Sequence, residues 1–345
     1  MSRTARIAAV AAIAVVVLVV VGVVGALELR RSRAERAAPT DVAVAAAGSF
    51  DDGPRIVFRS TAPGDLFGRV AVVPLDDPAG PRDVTPAACD RVDAVPGRAS
   101  CLRTGRGVAP TFSASVLDAS WRDVATWPLP GVPSRTRLSD DGTRVSTTAF
   151  VTGHSYAATG FSTETVIHDL SALPDGEPAG LGNIEEYALL VDGEKIAPVD
   201  RNLWGVTFVD DDTFYATAQS KTLGHTWLVH GDVAGRTLTA VAEDVECPSL
   251  SPDGTRIAFK RDVGDAPQVH WTPAVLDLAS GDVTVLDAEQ RDVDDQIEWL
   301  DDATILYGLP RADQPGVTDV WRLPADGSGS PAVLVPEAWS PSVVR

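Results

Sequence analysis

Five histidines, His154, His168, His225, His230 and His270, are the side chains of this chain whose ordinary titration lies between pH 5 and 8. His168, His230 and His270 sit in apolar runs, where a histidine packs or stays half-exposed. His154 and His225 sit in polar loop sequences, beside residues that suit ligand binding. Gly153-His154-Ser155-Tyr156-Ala157 invites comparison with the Gly-x-Ser-x-Gly nucleophile elbow. That elbow needs a second glycine and a strand-to-helix turn. Ala157 stands in the glycine's place and no helical period follows, so no catalytic residue is assigned. His154, Tyr156, Trp204 and His225 form instead the candidate binding set: aromatic faces and hydrogen-bonding tips that hold a ligand without transforming it.

The acids form two clusters, Asp210-Asp211-Asp212 and the stretch 292–302 (Asp-Val-Asp-Asp-Gln-Ile-Glu-Trp-Leu-Asp-Asp). Neither has the spacing of an EF-hand or a glycine-rich calcium repeat, so both read as solvated turns. There is no metal-ligand spacing, no Cys-x-x-Cys and no cofactor motif. Cys89 and Cys101 bracket a segment with Pro96-Gly97 near its middle. The spacing sets them opposite each other across a hairpin. As a disulfide the pair would add roughly 3 kcal/mol; the alternative is two buried thiols. Cys247 is left over as a small core residue.

These residues must be positioned by strands. Ser251-Pro252-Asp253-Gly254-Thr255-Arg256-Ile257-Ala258-Phe259 joins a polar turn directly to an apolar strand. Looser copies stand at 139–145 (Ser-Asp-Asp-Gly-Thr-Arg-Val) and 51–58 (Asp-Asp-Gly-Pro-Arg-Ile-Val-Phe). A second repeat is an apolar strand ending in Asp, at Asp118, Asp169, Asp232 and Asp277, with gaps of 51, 63 and 45 residues. Val-Trp-Arg-Leu at 320–323 is a further counterpart, with Arg322 in place of the Asp. Four short strands in roughly 40–50 residues is the arithmetic of a propeller blade. The class is all-β, and the stretch 51–345 accommodates six blades. Ser340-Pro341-Ser342-Val343-Val344 resembles Cys247-Pro248-Ser249-Leu250-Ser251, the inner strand before the complete turn. Blade 1 is therefore expected to take its inner strand from the C-terminus, which removes open sheet edges.

In such a ring, the loops joining second to third strands, here 153–161 and 219–226, share one face with the connections between blades, such as 201–204. That rule gathers His154, Tyr156, Trp204 and His225 at one mouth of the central channel, with the Ser-Pro-Asp-Gly turns on the opposite face.

The Ser-Pro-Asp-Gly-Thr-Arg-Ile-Ala-Phe repeat resembles the six-bladed propeller repeat of the TolB family, over roughly residues 51–345. Cys89-Asp90-Arg91-Val92, Gly153-His154-Ser155-Tyr156-Ala157, Trp204-Gly205-Val206-Thr207-Phe208 and the run 247–260 look like a group of anchored or secreted TolB-like proteins of GC-rich Gram-positive bacteria. TolB works in the periplasm with a peptidoglycan-associated lipoprotein and carries an α/β domain before its propeller. The fifty or so residues ahead of the first turn do not match that domain, so the resemblance implies the fold more than the role.

Those residues read as a tail (1–6), an apolar run (7–27) and an Arg-rich, then Ala/Pro/Thr-rich tether (28–50). The run has 21 uncharged residues, spanning ~31 Å as a helix, about one bilayer core. It reads as a retained single-pass transmembrane anchor; the alternative is a cleaved signal and a secreted domain. Arginines flank it on both sides, but large C-terminal domains are often exported regardless, and the cysteine pair suits an oxidising compartment. The expected location is the cell membrane, with the propeller on the extracytoplasmic side. After residue 36, 23 Lys+Arg face 46 Asp+Glu, a balance of −23, which opposes binding to nucleic acid. The expected function is a non-catalytic, monomeric propeller scaffold of the cell envelope that binds a protein or cell-wall component. The alternative is a propeller hydrolase, lactonase-like or peptidase-associated, with inner-strand acids such as Glu298 contributing to a metal site.

Overall fold

The computed structural model describes residues 19–20, 22–27, 30, 40, 42–50, 52–107, 109–151, 162–265 and 268–345. The chain divides into two compact units. The smaller comprises Met1–Asp41 and Ala62–Phe67; its described parts are helical residues at 19–20, 22–27 and 30 and a 3-10 turn at Gly64–Leu66. Most of the apolar run at 7–27 lies outside the described residues, and among those described no helix is long and apolar enough to cross a membrane.

The larger unit, Val42–Thr61 and Gly68–Arg345, holds every described strand. Blade 1 contains β1 (Arg55–Ser60), β2 (Arg69–Pro74) and β3 (Asp83–Ala88). Blade 2 is β4 (Arg91–Val95), β5 (Arg98–Gly105), β6 (Thr111–Asp118) and β7 (Asp123–Pro128). Blade 3 is β8 (Val132–Leu138), β9 (Arg144–Val151), β10 (Ser162–Asp169) and β11 (Ala179–Asn183). A hairpin of β12 (Ala188–Val191) and β13 (Glu194–Ile196) comes next. Blade 4 follows with β14 (Arg201–Phe208), β15 (Thr213–Ser220), β16 (His225–Asp232) and β17 (Thr237–Glu243). Blade 5 is β18 (Glu246–Leu250), β19 (Arg256–Asp262), β20 (Trp271–Asp277) and β21 (Val283–Val285). Blade 6 is β22 (Glu298–Asp301), β23 (Thr304–Pro310), β24 (Thr318–Pro324) and β25 (Ala332–Val335). The last strand is β26 (Ala338–Val344). It pairs antiparallel with β1, Arg55 opposite Val344 and Ser60 opposite Ala338, so the first sheet runs β26-β1-β2-β3. The ring is a six-bladed β-propeller. Blade 4 is the exception to four strands: β12 pairs in parallel with the outer strand β17 and carries β13 as a sixth strand. This hairpin lies inside the longest gap of the Asp repeat, between Asp169 and Asp232.

The packing follows from period-two alternation in strands buried on both faces. In β1, Ile56 and Phe58 join a cluster with Leu306 and Val320 of blade 6, while Val57 joins one with Val92 and Leu117 of blade 2. In β23, Ile305 and Tyr307 turn toward Ala258 and Val275 of blade 5, and Leu306 toward blade 1. The same division recurs around the ring, with one apolar cluster between each pair of neighbouring blades. The core is thus six wedges between sheets, and each blade buries apolar side chains against two others.

The repeated turns are self-sufficient. Ser251 Oγ and the N–H and Oγ1 of Thr255 all donate to Asp253 Oδ1, at 2.6, 3.0 and 2.8 Å, and Arg256 N–H donates to Ser251 Oγ at 2.9 Å. The copy at 139–144 repeats every bond: Ser139 Oγ, Thr143 N–H and Thr143 Oγ1 onto Asp141 Oδ1, and Arg144 N–H onto Ser139 Oγ. Gly142 and Gly254 close both turns at φ of +71° and +70°, a conformation that costs glycine little. These donors, Ser251 first, hold the Asp253 carboxyl well below its usual range. The strand-ending aspartates are used alike: Asp118, Asp169, Asp232 and Asp277 accept backbone N–H groups from the turn that follows each. Cys89 and Cys101 form a buried disulfide across the β4–β5 hairpin, with Cα atoms 5.4 Å apart.

Candidate functional site: the aromatic mouth of the channel

The inner strands β4, β8, β14, β18, β22 and β26 surround the axis. In the middle of the channel, Arg137 of β8 is shared by Asp93 of β4, at 3.4 Å, and Glu298 of β22, with which it makes a short ion pair. Asp93 also accepts from Leu138 N–H at 2.7 Å and from Ser342 Oγ of β26 at 2.9 Å. Burial raises the Asp93 carboxyl to about 6, against the pull of Arg137 and with Glu298 adding to the rise. Burial works against the Arg137 charge, but Glu298 and Asp93 overcome it and hold its pKa above the usual value. This cluster bolts blades 1, 2, 3 and 6 together across the axis. Beside it, between Arg91, Arg135, Arg137 and Asp295, only about 20 Å³ is open, room for a single water.

Above the bolt, toward the N-terminal ends of the inner strands, the channel widens into a cavity of about 340 Å³. Trp204 of β14, Trp271 of β20 and Phe150 of β9 supply aromatic wall; Arg91, Arg135 and Lys260 supply positive charge, Glu246 and Asp294 negative. Two of the cations are neutralised. Arg91 Nη1 lies 2.8 Å from Asp295 Oδ1, and Lys260 Nζ 2.5 Å from Asp294 Oδ1, with Lys260 also 4.4 Å from the centre of the Trp271 ring. Arg135 differs: its Nη1 donates to the carbonyl of its own neighbour Ser134 at 3.1 Å, and its Nε is buried without a partner. Burial opposes its charge; the Cys247 sulfur and the Asp295 and Asp294 carboxylates outweigh that and keep it protonated. Burial also raises Glu246 to about 7, with Lys260 opposing and Asp294 and Asp262 assisting, and the Glu246 side chain makes no hydrogen bond or ion pair among the described residues.

The backbone shapes this mouth. The inner strands of blades 4, 5 and 1 each bulge at a left-handed residue, Gly205, Cys247 and Ser340, with φ of +69°, +52° and +54°. A Cβ on Gly205 would stand 2.9 Å from the Cys247 Cα and 3.2 Å from the Pro248 ring. Gly205 therefore lets strands β14 and β18 approach where Trp204 and Cys247 face the cavity.

Of the residues singled out in the sequence, Trp204 lines this cavity and is buried to 6% exposure. His225 does not line it. Its ring stacks on Trp227 at 5.4 Å and its Nδ1 lies 3.3 Å from Glu243 Oε1, half-exposed on the third strand of blade 4. His154 and Tyr156 lie outside the described residues. Two placements differ from the sequence reading. Arg201–Trp204 is not a connection between blades but the start of β14. The segment 219–226 is not a loop, because the β15–β16 ladder continues to the pair Ser220–His225 and leaves only four residues, closed by Gly224, to turn. Arg135, Lys260, Glu246 and Trp271 were not anticipated. A usable signal was present: charged residues inside strands, with Arg135 and Arg137 two apart in β8 and Glu246 between Val245 and Cys247.

At its opposite end the channel opens into a cavity of about 460 Å³ lined by the Ser251-Pro252-Asp253-Gly254 turn, Val95, Val209 and Arg345. There Arg345 donates to the Trp299 carbonyl at 2.6 Å, and the turn side chains are consumed by their own backbone.

A closed ring of six blades, bolted by charge at its axis and open at an aromatic mouth, defines the chain as a six-bladed β-propeller. No protein-family model matches the chain, and no curated protein matches it. Among solved structures it is similar to TolB from Acinetobacter baumannii, at 14% identity over 86% of this chain and 68% of that one, with a TM-score of 0.56. It is also similar to a putative TolB from Agrobacterium tumefaciens, at 11% identity over 81% of this chain and 87% of that one, TM-score 0.45. A puromycin-hydrolyzing peptidase of Mycobacterium tuberculosis shares 16% identity over 78% of this chain and 41% of its own, TM-score 0.47. At these identities the likeness is one of fold.

Proposed function

We propose that this propeller is a non-catalytic binding protein of the cell envelope, recognising a protein or cell-wall component through the aromatic mouth. The run at 7–27 holds it at the membrane with the ring on the extracytoplasmic side. The observation that carries the reading is the difference between the two channel ends. At the turn face the polar side chains are spent on their own turns, whereas at the aromatic mouth Arg135 and Glu246 keep unused hydrogen-bonding capacity within a walled cavity. Val132, Phe150, Val199 and Leu223 are exposed on the same face. Val199 precedes Asp200, which accepts from Ser220 Oγ and Thr222 N–H, so the blade 4 loop and the entry to β14 form one continuous surface. His225 lies on the third strand of the same blade as Trp204.

The test is photo-crosslinking in cells with the full-length chain. A photoreactive phenylalanine at Leu223 or Val199 is expected to trap a discrete partner, and the same residue at Asp253 is not. Adducts from Asp253 alone, or the same adducts from both faces, would refute the assignment. Alanine at Trp204 or His225 should weaken the adduct formed from Leu223.

A further inference from the structure

We infer that the cavity at the aromatic mouth is a carboxylate-binding site in which the Arg135 guanidinium receives a carboxylate carried on a peptide, next to an aromatic side chain packed on Trp204 and Trp271. The inference deepens the binding role proposed above and rests on it.

Three observations lead there. First, Arg135 is the cation of this cavity without an ion-pair partner, since Arg91 and Lys260 each have an aspartate within 2.8 Å. Its Nε makes no hydrogen bond, Nη1 reaches only the adjacent backbone carbonyl, and its other neighbour is the weakly accepting Cys247 sulfur, not a carboxylate. A guanidinium offers five donors in a planar fork that matches a carboxylate two to two, so an incoming carboxylate completes the set that the protein leaves open. Second, the walls restrict what accompanies that carboxylate. The indole rings of Trp204 and Trp271 and the ring of Phe150 face a space of about 340 Å³, enough for one large side chain and too little for a folded domain. Third, the charge around Arg135 is nearly balanced before a ligand arrives. Burial raises the Glu246 carboxyl to about 7, so it is only partly ionised at neutral pH, and the acids Asp294 and Asp295 are already bound to Lys260 and Arg91. An added carboxylate then meets an unpaired cation in a partly desolvated site, where the attraction is stronger than in water. Below the cavity the Arg137 bolt bars passage, so the occupant enters and leaves through one mouth.

The test titrates two pairs of blocked peptides into the purified full-length chain, followed by calorimetry and by tryptophan fluorescence. In one pair the carboxylate is C-terminal: acetyl-Ala-Ala-Phe as the free acid against its amide. In the other it is a side chain: acetyl-Ala-Phe-Glu-Ala-amide against the same peptide with Gln. In at least one pair the acid should bind at least tenfold more tightly than its neutral counterpart, and the pair that discriminates identifies the source of the carboxylate. Arg135→Gln should abolish that preference while the ligand-free protein still unfolds in one cooperative thermal transition. Acids that bind no better than their counterparts in both pairs overturn the inference, and this comparison needs no variant to fold. A preference that survives in Arg135→Gln overturns it as well. A partner crosslinked from Leu223 with equal yield in wild type and Arg135→Gln would leave the binding role standing and remove the carboxylate reading. Acid-selective peptide binding with no crosslink from this face would do the opposite.

Discussion

Removing residues 338–345 should unfold the propeller as a whole and not merely fray one blade. Those eight residues are β26 and Arg345. The strand pairs with β1 at five register positions and buries Val343 and Val344 to 7% and 1% exposure. Burying a valine contributes about 1.5–3 kcal/mol, and each ladder hydrogen bond about 0.5–1.5 kcal/mol. Ser342 adds bonds to Asp93 and Ala94 that tie blade 1 to blade 2. The loss is therefore about 6–12 kcal/mol, comparable to the whole stability of a typical domain. Circular dichroism and tryptophan fluorescence should show no cooperative thermal transition in the truncated chain, or one lowered by more than about 10 °C. A synthetic peptide of residues 336–345 should restore the transition in a concentration-dependent way, because it binds only the folded ring. A truncated chain melting within about 3 °C of the full-length protein, by the slope just used, would show that β26 does not clamp the ring.

Three further outcomes are expected. Arg137→Gln leaves the Asp93 and Glu298 carboxylates at the axis without their cation and should cost about 3–5 kcal/mol in chemical denaturation; an unchanged midpoint would refute the bolt. Gly205→Ala forces a Cβ against the Cys247 backbone at positive φ and should cost about 1–3 kcal/mol, whereas Gly193→Ala, with open space around its Cβ, should cost less. His168 is held to about 4 by burial against Trp127. Below the ordinary histidine range the unfolded chain therefore takes up a proton that the folded chain refuses, and stability falls as pH drops from about 6.5 toward 4. Asp93, Glu185 and Glu246, raised to about 6, 7 and 7, act in the opposite sense and lose their contribution as pH rises through those values. The difference in stability between wild type and His168→Gln isolates the first effect; it should shrink by about 3 kcal/mol between pH 7 and pH 4, and a constant difference would refute it.

The blades were legible because their punctuation is local. An Asp that caps its own turn and a Gly at positive φ leave the same trace wherever a strand ends, as at 139–144 and 251–256. The added hairpin of blade 4 was less visible: β12 and β13 have four and three residues, too short for an alternation to stand out. Its one signal was Asp192-Gly193, where both residues have positive φ, the requirement of a tight hairpin turn. The site was legible only in part. Trp204 was assigned to the mouth as part of a connection between blades, although it lies inside the inner strand β14, and His225 was read as a loop residue since nothing local shows how far a ladder extends. Arg135, Glu246 and Lys260 escaped for a different reason: distance from the axis is a property of the closed ring, not of a strand's own pattern. Arg135 and Arg137 are two residues apart on one strand, yet one is locked between two acids and the other lines the mouth.

The sheet of blade 1 joins the first strand of the ring to the last, and this sets a timetable for synthesis. Strand β1 is made early but finds its inner neighbour only when the final residues have been added. At ~5–20 residues per second, the interval is on the order of tens of seconds. Throughout that time the edge of β1 and the apolar faces of Ile56 and Phe58 stay uncovered, although blades 2 to 5 already have their strands. The growing chain is thus most prone to mispairing at its oldest strand, and a chaperone acting on it has most to gain by covering residues 55–60.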